Sequence, residues 1–176
     1  MEFSGRRYDF NDKAADYASL AAELNGLLAD ERDAIANAAN TAALLFEALP
    51  RINWAGFYFW RTRKGAPGEL VVGPFQGKPA CVRIALGKGV CGTAAATRKT
   101  IVVRDVHEFP GHIACDAASR SEIVVPLIKD ETLLGVLDID SPVLARFDEA
   151  DRQGLESIAA IFVRGSEFAD EPEPAA

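Results

Sequence analysis

Up to Pro50, apolar side chains recur at helical spacing. Tyr17, Leu20, Ala21, Leu24, Leu27 and Leu28 form one stripe, and Ile35, Ala38, Ala42, Leu45, Phe46 and Leu49 form a second. Asn25-Gly26 and the acidic stretch from Asp30 to Asp33 lie between the two predicted helices, with Asp30 in position to cap the second. Pro50 ends it. The period then changes to two. INWAGFYFWR places Ile52, Trp54, Gly56, Tyr58 and Trp60 on one face of a strand and Asn53, Ala55, Phe57 and Phe59 on the other. Both faces are apolar enough to be covered. RKGAPG reads as a turn, ELVVGPF and ACVRIAL as further strands, TAAATRK as a short helix and TIVVRDV as another strand. DVHEFPGHIACDAASRSE keeps no period, and a loop of that length inside a small domain is usually functional or mobile. SEIVVPLIKDETLLGVLDIDS predicts two strands joined by a turn at Lys129, Asp130 and Glu131. A last helix follows Asp148, with Leu155, Ile158, Ala159 and Phe162 as its apolar stripe. About six strands in hairpin succession, with helices mostly at the chain ends, predict an α+β fold: an antiparallel sheet with helices packed on it.

Composition bounds the function. A chain of 176 residues, 49% apolar and 26% charged, is the size of one domain and can bury about two-thirds of its unfolded surface. The expected domain spans 1–165 and includes the N-terminal helices, with an acidic, Pro-containing tail over 166–176 expected to be disordered. A net charge of −7 and a pI near 4.9, with no Lys/Arg run, argue against nucleic acid as a partner. The N-terminus has no apolar core of a signal peptide, and nothing approaches the roughly 18 apolar residues of a membrane span, so a cytoplasmic protein with no membrane partner is expected. No GKS/T is present for a P-loop. Three cysteines with no CxxC pair make a poor disulfide framework.

Four features could carry chemistry. In GVLDIDS, an extended strand puts Val136, Asp138 and Asp140 on one face, with the carboxylates roughly 6–7 Å apart. That face either meets solvent or forms an acidic site, to which Glu122 on the neighbouring strand could add a third carboxylate. Cys81, Cys91 and Cys115 fall in the middle third of the chain, and each could be a small buried hydrophobe. Zinc would want paired ligands, and these cysteines with His107 and His112 show neither CxxC nor HxxxH, so no metal site is expected. The remaining chemistry of clustered thiols is redox. Within that reading, Cys91 sits between glycines at a predicted helix start, where backbone N–H groups favour a thiolate. Trp54 and Tyr58 are either core or the wall of a pocket for a small ligand with a methyl end.

LGKGVCGTAAATRKTIVVRDV, EIVVPLIKDETLLGVLDIDS and FDEADRQGLESIA resemble the GAF domain, a ligand-binding α+β fold with a central antiparallel sheet. Together with INWAGFYF, GKPACVRIALGKGVCGTAA, DVHEFPGHIACDAASRSEIVVP and GVLDIDSP they are similar to the free methionine-(R)-sulfoxide reductases, over about residues 10–165. The resemblance implies reduction of the R epimer of free methionine sulfoxide by cysteine chemistry. It implies Cys115 as nucleophile, Cys81 and Cys91 in resolving or recycling roles, and Glu122, Asp138, Asp140, Trp54 and Tyr58 as substrate-binding residues. No bound cofactor is implied, and thioredoxin, kept reduced by NADPH and thioredoxin reductase, is the implied reductant. A homodimer is permitted by an apolar face on the N-terminal helices. The alternative from another class is a stand-alone GAF sensor of a small molecule or of oxidation.

Overall fold

The computed structural model describes residues 8–63, 65–111 and 117–168. Helices α1 (Lys13–Leu27) and α2 (Ala34–Ala48) are followed by strands β1 (Trp54–Arg63), β2 (Ala66–Gly77) and β3 (Arg83–Ala85), helix α3 (Gly89–Thr97) and strand β4 (Ile101–Val103). Strands β5 (Ser121–Lys129) and β6 (Thr132–Ser141) and helix α4 (Glu149–Gly165) complete the fold. The six strands form one antiparallel sheet in the order β3-β2-β1-β6-β5-β4. The first and last strands of the long hairpins meet at its centre. No helix among the described residues is long and apolar enough to cross a membrane.

Local chemistry sets the element ends. Asp12 caps α1 by accepting from the Ala15 N–H, and Asp33 caps α2 by accepting from Ile35 and Ala36. The cap of α2 is thus Asp33 and not the expected Asp30, because only Asp33 precedes the helix directly. Asn25-Gly26 lies inside the last turn of α1, since α1 runs on to Leu27. Leu49 is extended, as the residue before a proline must be, and α2 stops. Asp130 and Glu131 both take positive φ, the two-residue turn that matches the twist of a hairpin.

The sheet has two covered faces. On one, Ala55, Phe57, Phe59, Ile123, Val125, Leu137 and Ile139 pack under the helices with Leu20, Leu24, Leu45, Leu155 and Phe162. Here α2 lies against β1 and β2, α4 lies against β5, and α1 stacks on α4. A buried ion network ties α1 to α4. Asp151 accepts hydrogen bonds from the Tyr17 hydroxyl at 3.0 Å and the Arg146 guanidinium at 3.1 Å, and pairs with Lys13. Asp151 also closes a capping box with Asp148. The fold continues past the expected boundary at 165: Ser166 is buried, and the Phe168 ring lies 5.9 Å from those of Phe59 and Phe162. The expected tail otherwise falls outside the described residues. On the opposite face, Trp54, Tyr58, Leu70, Ile84, Val124 and Val136 pack with Val90, Cys91, Ala94 and Ala95 of α3. Ile35 and Phe46 of α2 remain exposed.

Candidate active site

The face under α3 holds the charged groups. Asp138 and Asp140 project from β6 beside Val136, while Leu137 and Ile139 enter the helix-covered core. Glu122 stands directly across from Asp140 on β5, and Trp54 stands across from it on β1. One pocket collects Trp54, Tyr58, Cys91, Glu122, Asp138 and Asp140. Counting its open, solvent-filled mouth it measures about 540 Å³. The solvent-facing alternative for the β6 carboxylates is therefore wrong for Asp138, which is 6% exposed, and Glu122 on β5 is as deeply buried, at 5%.

Its aromatic wall is built by β1. The Trp54 and Tyr58 rings stack at 5.9 Å, and Trp54 stacks on Phe75 at 5.2 Å while its indole N–H donates to the Lys78 carbonyl at 3.1 Å. Core and pocket wall are the same residues here, so the two readings of this pair are not exclusive. Gly56, between them and opposite Asp138 on β6, has no room for a Cβ, which would fall 2.7 Å from the Trp54 ring and 2.3 Å from the Phe75 Cβ. The missing side chain is what lets Trp54 lie flat across the site.

Helix α3 begins at Gly89, earlier than the expected TAAATRK, and so takes Cys91 into its first turn. Gly87 and Gly89 adopt φ of +76° and +60°, which L side chains resist, and Gly92 lies so close to the preceding turn that a Cβ would sit 2.4 Å from the Ala85 carbonyl oxygen. These glycines press Cys91 against the carboxylates. Its Sγ is 3.9 Å from Glu122 Oε1, and the thiol and both carboxylates, all buried, converge with donor atoms within 4.8 Å of one another.

That placement reverses the expectation for Cys91. Burial pushes its thiol up, and the charges of Asp138 and Glu122 push it further, outweighing the helix N-terminus. Cys91 is a protonated thiol at neutral pH. The carboxyls follow the same physics. Burial raises Glu122 well above the usual range, with Asp138 and Asp140 adding repulsion, and burial brings Asp138 up to about 7 against hydrogen bonds from Cys91, Glu122 and the Ile139 backbone. Burial also raises the Tyr58 hydroxyl, with Asp138 and Cys91 adding to it. The site therefore holds carboxyl protons at neutral pH in a place shielded from water.

Cys81 lies just ahead of β3, half-buried and packed against the same cluster, and it is disulfide-bonded, whereas Cys91 is a free cysteine. Cys115 and His112 lie outside the described residues. Lys78, Pro79, Lys88 and Ser119 also line the pocket, and nothing in the local sequence pattern marked them. They arrive from loops, where side-chain direction has no period.

Residues 36–163 match the GAF domain. The chain is 53% identical to the free methionine-R-sulfoxide reductase of Escherichia coli, over 85% of this chain and 87% of that one. The crystal structure of free methionine-R-sulfoxide reductase from Neisseria meningitidis in complex with its substrate superposes with a TM-score of 0.84 at 47% identity, covering 93% of this chain and 95% of that one. The fRMsr of Staphylococcus aureus in complex with substrate gives 0.79 at 51% identity, over 85% and 94%. The chain belongs to the GAF domain family, in the branch of the free methionine-R-sulfoxide reductases.

Proposed function

We propose that this protein reduces free L-methionine-(R)-sulfoxide to methionine. The observation that carries this reading is the trio of Glu122, Asp138 and Asp140 facing the Trp54–Tyr58 wall across one pocket. The aromatic wall takes the S-methyl end. The carboxylates take the ammonium group, which a peptide nitrogen lacks, and this selects the free amino acid.

In the proposed cycle the Cys115 thiolate attacks the sulfoxide sulfur while a carboxyl of the Glu122–Asp138 pair protonates the oxygen. The attack forms a bond between the two sulfurs; as the hydroxyl passes from the substrate sulfur to Cys115 Sγ that bond breaks, so methionine departs with its sulfur lone pair restored and Cys115 is left as sulfenic acid. The Cys81 thiol then attacks that sulfur, a disulfide forms and water leaves. Thioredoxin dithiol returns the pair to thiols, drawing electrons from NADPH through thioredoxin reductase, and Cys91 serves recycling. Cys91 as the attacking group is disfavoured by its burial among carboxylates, which holds it protonated. Attack on a protonated sulfoxide demands less of the Cys115 thiol.

The test measures methionine released from the free R epimer, with the S epimer and the N-acetylated R compound as controls, in the presence of thioredoxin, its reductase and NADPH. Release from the free R epimer alone is expected, with Cys115→Ser inactive and Cys81→Ser yielding about one methionine per enzyme, as loss of the resolving thiol requires. Multiple turnover by Cys115→Ser would overturn the assignment of the nucleophile. No release from any substrate would leave the pocket to a GAF sensor.

A further inference from the structure

Cys91 is a free thiol fixed against two buried carboxylates, and acid catalysis alone does not require sulfur there. The donor geometry suits something else. A tetrahedral ion with a metal–sulfur bond of about 2.3 Å and metal–oxygen bonds of about 2.0–2.2 Å separates its sulfur and oxygen ligands by about 3.5 Å. Cys91 Sγ and Glu122 Oε1 are 3.9 Å apart, and a carboxylate oxygen of Asp138 completes a triad within 4.8 Å.

A second observation points to a ligand. Asp138 lines the pocket, is 94% buried by its 6% exposure, and its Oδ1 has no hydrogen-bond partner. An acceptor buried without a partner costs about 1–3 kcal/mol, and a charged one more, unless something bound supplies the missing contact. Sulfur in the set decides the class: carboxylates alone suit Mg²⁺ or Ca²⁺, whereas a thiolate selects zinc-like ions.

We propose that Cys91, Glu122 and Asp138 form a site for a thiophilic divalent cation, Zn²⁺ foremost, on the floor of the pocket. The pocket itself leaves a fourth position open to water. Binding releases the Cys91 proton and any carboxyl proton to solvent, with no change of oxidation state. Because Zn²⁺ would occupy the carboxylates that Proposed function assigns to substrate, it would compete with methionine sulfoxide. Only that last consequence rests on the reductase reading.

The experiment uses the full chain with the Cys81 disulfide intact. Zn²⁺ is titrated calorimetrically, Mg²⁺ is the comparison ion, and Cd²⁺ is followed by its ultraviolet thiolate-to-metal charge-transfer band. One equivalent of Zn²⁺, a Cd²⁺ band saturating at the same stoichiometry, and a loss of at least about tenfold in Zn²⁺ affinity in Asp138→Asn are expected. The band should vanish in Cys91→Ser. No Zn²⁺ binding, a band missing from the unmodified protein, a band that survives Cys91→Ser, or Mg²⁺ binding as tightly as Zn²⁺ would each overturn the site. The unmodified protein's own band keeps the test decisive should a variant fail to fold. In turnover assays Zn²⁺ should raise KM and leave kcat unchanged. A chain that binds Zn²⁺ yet reduces no sulfoxide would refute the reductase reading and leave the metal site standing.

Discussion

The two faces of the sheet are made by alternate residues of the same strands, yet they do opposite work. Toward the helices β6 sends Leu137 and Ile139, and toward α3 it sends Val136, Asp138 and Asp140; β5 sends Ile123 and Val125 one way and Glu122 and Val124 the other. The helix face, filled by α1, α2 and α4, has the larger apolar cluster, and its buried charges are drawn together in the network around Asp151. On the other face the short helix α3 leaves a pocket, and the carboxyls are packed against one another and a thiol. The lesson is that stability and chemistry are separated by side-chain parity: one face can be optimised while the other carries groups that oppose folding.

Substitutions can break that separation. The largest effect belongs to the helix face. Leu137→Ala, at a fully buried position, should cost about 2–5 kcal/mol in denaturant unfolding while activity per folded molecule holds. On the site face Asp138→Asn should do the reverse. Removing a carboxyl proton donor should lower kcat by about 10²–10⁴, and relieving buried like charge should leave the thermal midpoint unchanged or raised. A matching loss of stability in Asp138→Asn would refute the separation. Gly56→Ala is smaller: forcing a Cβ against Trp54 and Phe75 should cost about 1–3 kcal/mol and raise KM through the displaced indole. If KM holds, Trp54 does not shape the substrate site.

The smallest effects are in pH dependence, and their signs should differ between the faces. Asp138 rises on folding from 3.8 to about 7, so the folded state holds its proton longer and stability falls as pH rises through that window. Asp148, the cap of α4, goes the other way. Burial opposes the shift, but the Lys13 hydrogen bond and the Asp151 backbone N–H hold it down at about 2 against 3.8, so its stabilisation is present above 3.8 and is lost as pH falls toward 2. Unfolding free energies measured across both windows should flatten between pH 4 and 7 in Asp138→Asn, and between 2 and 4 in Asp148→Asn. Activity that depends on protonated Asp138 should decline as pH rises through about 7. A flat profile there would remove Asp138 as proton donor.

Much of this was legible beforehand because strands have a fixed period. Alternation placed Trp54 with Tyr58, separated Asp138 and Asp140 from Leu137 and Ile139, and set Glu122 at the start of the adjacent strand. Helix limits were less legible. The Asp30 cap, the start of α3 and the start of β3 were misplaced because several capping residues, glycines and a proline lay close together. Lys78, Lys88 and Ser119 left no signal, since loops carry no periodicity.

What the sequence determined alone is the set of neighbours that covalent geometry dictates: which side chains share a strand face, that Pro50 must stop α2, and that acids, thiols and aromatics belong to elements able to meet. What only the tertiary structure decided is the electrostatics of that meeting. A helix start near Cys91 argued locally for a thiolate, but burial beside Glu122 and Asp138 made it a protonated thiol. Desolvation and through-space charge depend on groups far apart in the chain, and no local pattern contains them.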